Sequence, residues 1–295
     1  MQKHRTRVVC SALLAVALAA LGLAGSAQAK LTGEFTKFAQ CPYKNEEVRK
    51  CIDAVTESGE VILGNKKVPI EKPVTLQGGA GPVNEEEFGK FYAATNGITL
   101  SKAQQNVPGG LLGIVPDASS PALVKLLIKF FLENSLTGVN STLELAKTAS
   151  DISISESHLA GEEGIALKLP VKVHLENPFL GKNCYVGSSS SPLSWNLTTG
   201  TTSPPKPNTS ISGAGGEGEL LEKGRIIRIK NNKLVDNAWS APTAAGCGGI
   251  LSFLVTPIIN AQLGTTTAGH NTAILKGTVM SASSFAVQTN DSENP

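Results

Sequence analysis

The chain has 295 residues, a formal net charge of +2, 41% hydrophobic residues and 17% charged residues. Ordinary apolar content with so small a net charge excludes intrinsic disorder, and it excludes a nucleic-acid binder that works by bulk positive charge. The low charge, with 30 Gly and 16 Pro, also argues against a helical bundle, whose exposed faces would be rich in Glu and Lys.

The first residues read as a leader. Lys3, His4, Arg5 and Arg7 form a basic start, Val8 to Ala24 is apolar, and Ala27-Gln28-Ala29 is a small-x-small cleavage site. These three zones describe a secretory signal peptide, residues 1–29, cut before Lys30. The leader takes three of the 26 basic residues and no acid, which leaves 23 against 24 and a net charge of −1. No electrostatic case for nucleic acid or another anionic partner survives. No later apolar run is long enough to span a bilayer.

Cys10 leaves with the leader, and Cys41, Cys51, Cys184 and Cys247 remain. An even count in an exported chain reads as disulfides, with three connectivities open. The local pairs Cys41–Cys51 and Cys184–Cys247 are the preferred reading. The chain-entropy model makes the short loop worth about 3 kcal/mol and the long one about 4 kcal/mol. A zinc site would need close pairs such as Cys-x-x-Cys, and there are none. No metal ligand set or cofactor motif is legible.

Along the rest of the chain, a helix is expected from Glu46 to about Thr56, capped by Asn45, with Val48, Ile52 and Val55 on one side. From Glu60 the pattern turns β-like: Val61-Ile62-Leu63, Val68-Pro69-Ile70 and Val74-Thr75-Leu76 are short runs separated by Gly, Asn, Lys and Pro. Ser120 and Pro121 open a second predicted helix at 121–133. Its apolar residues cover most of its circumference, leaving Lys125, Lys129 and Glu133 as a narrow charged stripe. Such a helix either packs over a sheet or the mouth of a barrel, or meets a lipid surface or partner through Leu127, Phe130 and Phe131.

The clearest alternation is Val171-Lys172-Val173-His174-Leu175-Glu176, a strand with one buried and one wet face. Ile152 and Ile154 repeat it, as do Ile227 and Ile229, and Asn231-Asn232 then offers a turn. Ile250 to Val255 reads as a central strand; Ala273–Met280 and Ser284–Gln288 read as closing strands. Residues 187–218 read as a long loop inside a single β-rich domain of residues 30–290, and 291–295 as a frayed tail. Many short strands with one or two short helices make the expected fold mainly β, an antiparallel sandwich or barrel.

Three phrases add a resemblance. Asn177-Pro178 with Gly181 to Gly187, Leu197 to Thr202, and Leu234 to Asn237 leading to Ala245-Gly246-Cys247-Gly248 resemble wording in exported proteins of high-GC Gram-positive bacteria that have no assigned function. The resemblance covers about residues 165–280. It implies a shared scaffold and export, and it transfers no activity and no catalytic residue.

A secreted hydrolase should show a nucleophile elbow, a metal set or a carboxylate pair, and none is present. His158 and His174 read as surface residues, and His270 is the single nominee for a catalytic role. Glu85-Glu86-Glu87 and Glu162-Glu163 read as solvated runs. Trp195 and Trp239, each near a Cys in sequence, read as packing against a disulfide. The expected function is that of a secreted or cell-surface protein with a non-catalytic structural or interaction role. The alternatives are a binder of lipid or another apolar ligand using the 121–133 helix, and a hydrolase with a scattered site. Contact with the cell envelope or lipid is the partner this reading allows.

Overall fold

A computed structural model describes residues 30–83, 89–110, 138–161 and 164–293, together with Ala122. The predicted leader, Leu127, Phe130 and Phe131 of the 121–133 helix, and both acidic runs lie outside the described residues.

The described chain is mainly β and antiparallel, as its composition predicts. Its strands are β1 (Lys50–Leu63), β2 (Lys66–Pro69), β3 (Val74–Val83), β4 (Gly89–Ala93), β5 (Gln104–Val107), β6 (Val139–Leu145), β7 (Ser153–Ile154), β8 (Ile165–Glu176), β9 (Tyr185–Val186), β10 (Leu193–Thr198), β11 (Glu217–Leu221), β12 (Ile226–Asp236), β13 (Ala244–Ala245) and β14 (Asn271–Ser283). The helices are a single turn α1 (Glu156–Leu159), then α2 (Ser252–Leu263) and α3 (Ser284–Glu293).

Eight strands form a closed ring in the order β1-β3-β4-β7-β8-β10-β12-β14, and β14 pairs again with β1. Closure removes the exposed edges that an open sheet would present to other chains. Of the two expected architectures, the barrel is the one formed. Alternation fills its inside: Ile52 on β1, Leu169 and Val171 on β8, Leu193, Trp195 and Leu197 on β10, and Ala273 on β14 are all buried.

A second apolar cluster lies on the outer face of the ring. Phe35 and Phe38, Cys41 and Cys51, Ile226 and Met280 pack there with Ala286 and Val287 of α3. Termini of the described chain meet in this layer. The backbone N–H of Lys30 donates to Asp291 Oδ1 at 3.1 Å, and that of Thr32 donates to Asn290 Oδ1 at 2.9 Å.

Both preferred disulfides are formed, Cys41–Cys51 and Cys184–Cys247. Five local expectations are corrected. Residues 50–56 belong to strand β1, not to a helix, because β14 and β3 claim both of its edges. The Asn45 signal is real but local: its Oδ1 accepts the Glu47 N–H at 2.9 Å and closes one turn. Residues 252–263 are helix α2, where a central strand was expected, and Ser284–Glu293 is helix α3, where a closing strand was expected. Asn231 is not in a turn. It sits at φ 57° in a register shift inside β12; Ile226 is buried in the outer cluster, Ile229 in the barrel core, and Ile227 is exposed. Finally, the expected 187–218 loop is interrupted by β10, a ring strand.

The bulge in β1 between Thr56 and Ser58 faces Gly277 on β14, where any side chain would collide with the Val55 carbonyl. Replacing Cys184 and Cys247 together by Ala is expected to lower the unfolding free energy by about 4 kcal/mol, and removing the Cys41–Cys51 bridge by about 3 kcal/mol, since the first closes 63 residues and the second 10. Urea unfolding of the two double variants checks both the sizes and their order.

Candidate functional site: an apolar cleft beside the barrel

At one end of the ring two strands change neighbours. β1 pairs with β3 over Lys50–Thr56, then with β2 over Glu60–Leu63. β8 pairs with β7 and β10 in its first half, then with β6 and β9 in its second. The strands β2, β5 and β6 thus stand off the ring and enclose a cleft, with α2 along its side.

Strand periodicity decides what faces it. Val61 and Leu63 of β1, Lys66 and Val68 of β2, Gln105 and Val107 of β5, and Val173 and Leu175 of β8 are each two residues apart, so each pair points the same way. Helix α2 adds Ile259, Gln262 and Leu263, at the three- and four-residue spacing of one helix face. The cleft encloses about 860 Å³ of empty space counting its open mouth, and its walls are almost wholly apolar. Gly110 and Val139 also line it.

A second cavity, about 580 Å³ counting space open to solvent, lies inside the barrel. It shares Ile70, Val74 and Leu143 with the cleft. Trp195 lines it; the side chain is 1% exposed, and its indole N–H has no hydrogen-bond partner. The rings of Trp195 and Trp239 meet each other at 5.8 Å between centroids, and Trp239 Nε1 donates to the Asp236 carbonyl at 3.3 Å.

A wider depression, polar in its lining, lies elsewhere, lined by Asn196, Thr198, Thr202 and Asp236 among others. Several of its polar groups are spent on the fold. Asp236 accepts the N–H groups of Asn196 and Ala238 at 2.7 and 2.9 Å, Thr198 Oγ1 donates to the Gly164 carbonyl at 2.5 Å, and Thr202 Oγ1 donates to that of Ile211 at 3.2 Å. Burial pushes Asp236 above the usual carboxylate range, and those two N–H bonds oppose the rise. This carboxylate holds the thin β10–β12 junction, where Thr198 and Val235 are the paired residues.

The histidines do not converge. His158 Nδ1 lies 2.8 Å from the Ile165 carbonyl in a structural turn. His174 is not simply solvated: it stacks on Tyr185 at 4.4 Å, and the ammonium of Lys172 covers the same ring at 4.3 Å. His270 sits in the turn before β14, its backbone N–H bonded to the Thr267 carbonyl at 3.2 Å. No group of three His, Cys, Asp or Glu side chains among the described residues is placed to hold a metal ion.

Beside the cleft lies an exposed apolar patch that the sequence reading missed. Ile250 is 97% exposed and Phe253 71%; Leu251, Leu254, Ile258 and Phe179 are also exposed. The Gly248 N–H donates to the Leu180 carbonyl at 2.7 Å, which ties the Phe179 loop to the start of this segment. From Asn237 to Leu275 the sequence has no Asp, Glu, Lys or Arg. No helix among the described residues is long and apolar enough to cross a membrane.

Asp53 is buried in the outer cluster at 7% exposure, and burial raises its pKa from 3.8 to about 6 against an opposing pull from Lys37. A carboxyl that protonates more readily when folded stabilises the fold most below pH 4, and that contribution is lost as pH rises to 6. Asp53→Asn is therefore expected to flatten stability between pH 4 and 6 and to leave the protein up to about 3 kcal/mol more stable at pH 7. Thermal or urea unfolding across that range measures it.

The chain matches no protein-family model, no curated protein and no solved structure.

Proposed function

We propose that the protein is an exported, non-catalytic binder of an elongated apolar ligand, with the cleft beside the barrel as its site. The carrying observation is the lining itself: Lys66 is its one charged residue among those described, and it opens to solvent at one end. The shared wall of Ile70, Val74 and Leu143 gives a chain-shaped ligand a path toward the barrel interior. Apolar walls facing open space forfeit dispersion contacts that an alkyl chain would restore.

Export is supported by the two disulfides and by the leader pattern. Cleavage before Lys30 would place the new α-ammonium at the Lys30 nitrogen, beside the carboxylate of Asp291. The resemblance to exported proteins of high-GC Gram-positive bacteria agrees with this reading.

The 250–258 patch supports contact with a lipid surface. It is apolar, uncharged and continuous with α2, whose other face lines the cleft. In this reading the surface delivers or receives the ligand. A purely structural role would leave both cleft and patch without a use.

Purified protein should bind a fluorescent long-chain alkyl probe, and Val68→Trp, which fills the mouth, should weaken binding at least about tenfold with little change in unfolding midpoint. Unchanged affinity would reject the cleft as the site. Wild-type protein should also co-sediment with zwitterionic vesicles, and Phe253→Ser with Leu254→Ser should abolish this while probe binding in solution persists.

A further inference from the structure

We propose that the cleft selects a chain that ends in a carboxylate, and that Lys66 is the residue that reads it; this rests on the apolar-chain reading above. Lys66 and Lys67 are adjacent, so β2 sends them to opposite sides. Lys67 points away and pairs with Glu60 at 2.6 Å. Lys66 faces inward with Val68, opposite Leu63 in the register, and its side chain lines the apolar cleft.

No carboxylate among the described residues pairs with Lys66. Loss of solvent around it lowers its pKa from the ordinary lysine value, as expected of a cation that has given up water without gaining a counter-charge. Two of its polar neighbours are already engaged in the fold. Gln105 Oε1 accepts the N–H groups of Glu71 and Lys72 at 2.9 and 3.0 Å, and its Nε2 donates to the Lys72 carbonyl at 2.8 Å. Ser141 Oγ reaches the Gln105 carbonyl at 3.5 Å.

An alkyl chain laid along Val61, Val68 and Val74 would strip more water from Lys66. A neutral head group leaves that ammonium uncompensated, and a cationic one repels it. A carboxylate supplies both the missing charge and a strong acceptor, in a setting where charge-assisted bonds exceed those at open surfaces. The same tail should therefore bind in the order carboxylate, alcohol, quaternary ammonium.

The test is displacement of the fluorescent alkyl probe at neutral pH by dodecanoate, dodecanol and dodecyltrimethylammonium, on full-length processed protein. Dodecanoate should bind roughly tenfold tighter than dodecanol, and dodecyltrimethylammonium weakest. Lys66→Met should bring dodecanoate down to the dodecanol level without weakening dodecanol, and Lys66→Arg should keep the preference. Equal affinities in the wild type, or a preference that survives Lys66→Met, would overturn the assignment of Lys66 and leave the apolar cleft standing. Binding of none of the three would overturn both. Should Lys66→Met fail to fold, the three-ligand order on wild-type protein decides the matter without a variant.

Discussion

Strand β8 carries four neighbours, β7 and β10 along its first half and β6 and β9 along its second. Val171 is where they change, since it pairs with Leu193 on one side and with Leu145 on the other. Pro170, just before it, has no N–H to give to a continuous ladder. Its carbonyl instead accepts the Ala146 N–H at 3.0 Å. On the opposite side of the ring, the bulge in β1 does the same work, separating the part paired with β3 from the part paired with β2. Two strands that leave a closed ring in this way must diverge. The gap between them cannot be sealed by ring side chains alone, so β2, β5, β6 and α2 form a second apolar chamber against the first.

The sequence made the ring legible where one face is buried and one is wet. Val171, Val173 and Leu175 announced β8, and Ala273 to Met280 announced most of β14. The missed strand β10 carries the same signal in Leu193, Trp195 and Leu197. The Ser- and Thr-rich residues on either side of it made the whole stretch look like loop. Helix and strand were confused at 46–56 and 250–255, where a short apolar run fits both periods and tertiary edges choose. Four cysteines gave the correct pairing because the nearest partners in sequence are also partners in space.

The cleft was harder to foresee, since it is made from segments far apart in the chain. Lys66 read as a turn residue between two short strands, and only the inward register of β2 gives it meaning. The apolar surface expected of 121–133 has a counterpart elsewhere, at 250–258, where the run read as a buried strand is a helix with apolar residues on both faces. Charged groups that do converge serve the fold. Asp236 braces β10 against β12, and Glu144 lies between the ammonium groups of Lys102 and Lys172 at 3.1 and 3.3 Å.

An apolar chamber open to solvent is costly for a protein whose net stability is only a small residue of large opposing terms. Packed interiors leave few voids wider than a water molecule, and each unfilled volume forfeits contact energy. In the barrel Trp195, Leu193 and Leu197 are at 1% exposure or less, although Trp195 also borders the inner cavity. The cleft departs from such packing beside Lys66, a cation with no counter-charge among the described residues. Two departures at one site, each of which the same amphiphile would relieve, make ligand binding and folding stability the same physical problem: whatever fills the chamber and neutralises Lys66 stabilises the native state in proportion to its concentration over its dissociation constant.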